Sequence, residues 1–169
     1  MKIVYWFDFI NDSYLDTNFA PLYHRTTTYG FIDIIQSNTL KITEYDNIYQ
    51  DDTVKMVSFT RNKKLNLDYY KSFLDVVIEI NRDKLKENYK IIKYDFFIHS
   101  KKEDKPKSNI HRIEPFEFEE IVIKDISNID RYIISVNFEN NSIMDRNVAS
   151  LIPLLREKNI KIYNNGYEY

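Results

Sequence analysis

The chain has 169 residues, 43% of them hydrophobic and 15% aromatic, enough to bury one core and too few for two, so residues 1–169 are expected to form a single domain. Its 24 Lys and Arg against 26 Asp and Glu leave a formal net charge of -2, which gives no global electrostatic reason for a polyanionic partner. There is no Cys, which excludes disulfides and thiolate chemistry. The opening stretch MKIVYWFDFINDSY reaches acidic and polar residues too early for a membrane span. It also lacks the basic region and small-residue cleavage site of a signal peptide, so a soluble, cytoplasmic protein is expected. With 14 Tyr and only 2 Gly, composition alone supplies Tyr, Lys and Asn everywhere, and isolated residues of these types carry little functional weight.

Taken in chain order, residues 2–10 are β-branched and aromatic and end at Asn-Asp-Ser, the pattern of a strand and turn. LYHRTT, residues 22–27, reads as a short strand; Phe31, Ile34 and Ile35 then recur at helical spacing and predict a short helix ending at Asn38. Residues 53–60 are a strand. FLDVVIEI over 73–80 is apolar enough for an interior strand, and Asn81 is placed to cap the short helix RDKLKENY. Residues 90–97 return as strand, and the charged, aperiodic stretch over 99–112 is a loop. EFEEIVIK, residues 117–124, is a strand, DISNIDRY a single helical turn and IISVNF, 133–138, another strand. Met144, Val148, Leu151, Ile152 and Leu155 form the buried stripe of a helix that Pro153 is expected to kink or interrupt. IKIYNN closes the domain as a last strand.

Three of these segments carry polar sets that a plain core strand would not. In LYHRTT, His24 and Thr26 share one strand face while Arg25 shares the other with Tyr23 and Thr27. A ring nitrogen and a hydroxyl two residues apart on one face can together hydrogen-bond a ribose or an amide. In VSFTRN, Ser58 and Thr60 alternate with Val57, Phe59 and Arg61, and the planar donor fork of Arg61 matches phosphate oxygens as readily as it matches solvent. EPFEFEEIVIK holds Glu114, Glu117, Glu119 and Glu120. Alternation places Glu119 with Ile121 and Glu120 with Val122, so an acid lies beside apolar residues on either face. Such a carboxylate is costly without partners, whereas acids on an edge strand also serve to discourage aggregation.

His, then Ser/Thr/Arg, then Glu, each on a strand and in that order, resembles the ADP-ribosyltransferase superfamily, including its DNA-targeting toxin branch and its small phage-encoded members. The similarity extends from residue 22 to the end. It implies an α+β fold, two split β-sheets around a cleft with a few flanking helices, and the transfer of ADP-ribose from NAD to a macromolecular target, protein or nucleic acid, with a virion or host cytoplasm as setting if phage-encoded. It also implies site residues. His24, Thr26, Ser58 and Thr60 would hold NAD, Arg61 would meet phosphate or target, and a glutamate would hydrogen-bond the nicotinamide ribose as charge develops there. Glu-x-Glu spacing makes Glu119 the first choice; the aliphatic run after Glu120 favours that residue, and both stay open. Arg25 stands where many relatives carry a small residue, and a bulky side chain there would narrow the cleft.

Two other readings compete. The chain could keep the fold and have lost the activity, serving as a binding or virion-associated structural protein. It could instead bind nucleic acid through the Lys and Arg of residues 101–112, although Glu103 and Asp104 dilute that cluster. His24, His99 and His111 show no metal-ligand spacing, so no metal is expected, and no nucleophile elbow is present.

Overall fold

The computed structural model describes residues 21–46, 53–61, 74–93 and 120–169. The strand expected over 2–10, the loop over 99–112 with its basic cluster, and Glu114, Glu117 and Glu119 lie outside these residues.

Two sheets carry the described chain. The first has five strands in the order β1-β5-β9-β10-β11, formed by Leu22–Thr26, Val76–Ile80, Ile133–Phe138, Lys161–Asn164 and Tyr167–Glu168. The second orders four strands as β3-β4-β7-β6, formed by Thr43–Asp46, Thr53–Phe59, Glu120–Val122 and Ile92–Lys93. A two-stranded pair joins β2 (Thr39–Leu40) to β8 (Ile126–Ser127). The large sheets meet at one point. Tyr23 and Thr60 exchange backbone hydrogen bonds of 2.7 and 2.9 Å, so the edge strand β1 continues onto the end of β4.

β5 pairs with β1 on one side and β9 on the other, and Val76, Val77, Ile78 and Ile80 are buried, as a strand covered on both faces requires. Its exception is Glu79, whose carboxylate accepts from the Ser135 hydroxyl and whose register partner on β1 is Tyr23. Burial first, then the charge of Glu79, push the Tyr23 phenol up to about 12.

Helix α1 (Thr28–Ser37) starts where Thr27 Oγ1 accepts from the Gly30 N–H at 3.0 Å and where Asp75 accepts from both the N–H and the hydroxyl of Thr28. It ends at Asn38, in the left-handed conformation, one position past its last helical residue Ser37, as expected. Phe31 of this helix meets Phe138 of β9 edge-on at 5.1 Å between ring centres. Helix α2 (Arg82–Lys86) is capped by Asn81 as predicted, its side chain accepting from the Lys84 N–H. Helix α3 (Arg146–Glu157), capped by Asp145, provides the crossover that the parallel pairing of β9 with β10 needs.

Four expectations are corrected. Met144 is not in the buried stripe; it sits in a 3-10 turn, Ser142–Met144, and is 76% exposed. Pro153 does not interrupt α3, which runs through it, because the ring lies on the exposed side where its missing donor strands no buried carbonyl. The strand holding Glu120 ends at Val122 rather than at 124: Ile123 is 59% exposed, and Asp125 turns back to accept from the Ile42 N–H at 2.8 Å. After the last predicted strand a further one follows, β11, in a hairpin whose two loop residues Asn165 and Gly166 both have positive φ, the type I′ pattern for which Asn-Gly is the strongest signal.

Candidate active site

The site lies where β1 leaves β4. On β1, Leu22, His24 and Thr26 face one way and Tyr23 and Arg25 the other. His24 Nδ1 lies 3.0 Å from the Ser58 carbonyl oxygen. A carbonyl only accepts, so Nδ1 carries the proton and Nε2 keeps its lone pair. Burial lowers the His24 pKa, partly opposed by the bond to Ser58, and the ring is neutral at pH 7. Ser58 thus engages the histidine through its backbone. Thr26 is half-buried against the first turn of α1: a Cβ on Gly30 would collide with Thr26 Oγ1, so only glycine lets the helix approach the threonine this closely.

Alternation carries this arrangement into the second sheet. The His24 ring meets Phe59 edge-on at 5.9 Å. Phe59 is the register partner of Glu120, and Arg61, two residues on, shares its parity. Arg61 and Glu120 accordingly meet, the guanidinium Nη2 donating to Oε1 of the carboxylate.

A third side chain, unmarked in the sequence reading, completes the cluster. Arg82, the first residue of α2, donates from Nε to Oε2 of Glu120 at 2.7 Å and from Nη2 to Oε1 at 2.9 Å. Nothing in its local sequence marks it: Arg82 opens a five-residue helix beside Asp83 as an ordinary basic residue. Glu120 is 2% exposed. Burial alone would raise its pKa, but the hydrogen bonds and charges of Arg82 and Arg61 outweigh that and hold the carboxyl below its ordinary value.

Arg25, expected to crowd the cleft, faces away. It pairs with Glu139 at 3.4 Å on the opposite side of β1 from His24. Thr60 is buried and is held through its backbone to Tyr23. Of the two candidate glutamates, Glu120 joins Arg61 and Arg82 and is linked to His24 by way of Phe59, its register partner, and Glu119 lies outside the described residues. No group of His, Asp and Glu able to hold a metal occurs among the described residues. A shallow concavity of about 280 Å³ beside β10 and β11, lined by Arg156, Lys161 and Tyr169 among others, holds none of these side chains.

Compared with known proteins, the architecture matches DarT from Thermus sp. 2.9, solved in complex with NAD+, at a TM-score of 0.53 over 88% of this chain and 97% of that one. The chain shares the fold of DarT. At 9% identity the likeness is one of fold, and the α+β fold of split sheets implied by the three strand segments is the one adopted. No family model and no curated protein matches the sequence. None of the described helices is long and apolar enough to cross a membrane.

Proposed function

We propose that this chain is an NAD-dependent mono-ADP-ribosyltransferase whose site is formed by His24, Arg61 and Glu120. The observation that carries the reading is the ion pair of Arg61 with Glu120, whose register partner Phe59 packs against a neutral histidine, in a fold that in DarT accommodates NAD+.

The donor set suits that substrate. An ionised carboxylate can accept from a ribose hydroxyl, a neutral imidazole with a free Nε2 lone pair can accept from another, and a guanidinium fork matches a diphosphate. NAD supplies the bond between ribose and nicotinamide, whose breaking places positive charge on the ribose. Glu120, ionised and fixed in position, stabilises that charge without reorganising. Thr26, on the His24 side of β1, is assigned to NAD contact; Ser58, whose side chain alternation turns to the face of β4 away from Phe59 and His24, is assigned with Thr60 to shaping the junction of the sheets. Glu119 is the alternative carboxylate. The resemblance of the strand segments to the DNA-targeting toxin branch makes DNA the first macromolecule to test as acceptor, followed by protein.

The test is incubation with labelled NAD and DNA or lysate, with nicotinamide release followed in the same sample. Label transfer by the wild type and its loss, by roughly 100-fold or more, in Glu120→Gln is expected. Loss in Glu119→Gln with Glu120→Gln unaffected would move the role to Glu119.

The burial of Glu120 supports a second reading, an inactive binding protein of the same fold, since both carboxylate oxygens are taken by arginines. NAD binding by calorimetry without nicotinamide release would select it.

A further inference from the structure

The two arginines on Glu120 are not equivalent. Arg61 reaches it through one nitrogen from the end of β4, whereas Arg82 grips both oxygens in the parallel two-bond geometry that fixes a carboxylate's plane as well as its place. Arg82 is itself held. Its side chain is 9% exposed, the preceding Asn81 caps α2 and donates its own N–H to the Tyr132 carbonyl at 2.7 Å, and Leu85, one turn on, is fully buried.

We infer that Arg82 is the positioning residue of the site, orienting the Glu120 carboxylate through the bidentate grip. This rests on the proposed transferase reading. Arg82 touches no substrate on this account and acts through Glu120 alone. The charged residues set against Glu120 among the described residues are Arg61 and Arg82, which bond to it, and Lys93, its register partner on β6; its neighbours on β7, Ile121 and Val122, are apolar. With Arg82 gone, burial is opposed by one arginine instead of two, so the carboxylate takes up a proton at higher pH.

Arg82→Gln and Arg82→Lys are compared with wild type for nicotinamide release across NAD concentration from pH 6 to 9, with folding checked by circular dichroism. The Glu120 carboxyl is titrated directly by NMR in protein carrying 13C-labelled glutamate. The expected result is a kcat lower by roughly 100-fold, the loss typical of a misplaced catalytic group, with KM for NAD little changed. Activity should recover as pH rises, more in Arg82→Lys than in Arg82→Gln, and Glu120 should titrate at higher pH in both. A folded variant with wild-type kcat and an unmoved pH profile, or an unmoved Glu120 titration, overturns the inference. If Arg82→Gln does not fold, Arg82→Lys carries the same readings. If the wild type releases no nicotinamide, the transferase reading fails, and the titration by itself decides whether Arg82 governs Glu120.

Discussion

Arg82 and Glu120, separated by 38 positions in the chain, meet in a bidentate ion pair with both side chains almost wholly removed from water. Removing one partner of such a pair leaves a buried charge unmatched. Here two arginines meet the one carboxylate. Glu120→Ala is therefore expected to destabilise the fold by roughly 3–5 kcal/mol, measured as a fall in the urea midpoint. Glu120→Gln, which retains an acceptor oxygen, should lose less stability while still losing activity.

His24 ties stability to pH. Its pKa is lowered from 6.5 in the folded chain, so below that value the unfolded chain binds the proton more readily and folding weakens. Stability is full above pH 6.5 and is lost as pH falls from there toward the folded-state pKa. Urea midpoints at pH 7.5 and 5.5 should show this loss in wild type and a smaller one in His24→Gln, which can still donate to the Ser58 carbonyl.

Arg25 should matter little to the site. Its pair with Glu139 is partly exposed and lies on the far side of β1. Arg25→Ala is expected to cost no more than about 1 kcal/mol and to leave KM for NAD where it was; a clear fall in KM would mean that Arg25 does obstruct the cleft.

The hairpin at the end of the chain offers a test free of any functional claim. Gly166 has φ +84 with open space around its Cα, so Gly166→Ala meets no atom and is opposed by backbone conformation alone. A loss of about 1 kcal/mol or somewhat more is expected, read as a drop of roughly 2–4 °C or more in Tm.

Local chemistry made much of the fold legible in advance. The interior strand β5, the caps at Asn81 and Asn38 and the apolar stripe of α3 over Val148, Leu151, Ile152 and Leu155 follow from side-chain spacing and capping geometry, which act over a few residues and so are written in short segments. The Asn-Gly turn is equally local. The polar faces of LYHRTT and VSFTRN also rest on alternation, a property of a single strand.

What alternation could not tell is which face is inward, or what meets a side chain once it is there. Between Glu119 and Glu120 the sequence leaves both open, because each has apolar neighbours; for Glu120, pairing with Phe59 is what brings it to Arg61. Arg82 looked like an ordinary basic residue opening a short helix. Only the return of β7 beside β4, bringing together residues 38 and 59 positions apart, turns it into half of a buried ion pair, since such contacts depend on chain topology that no short segment encodes.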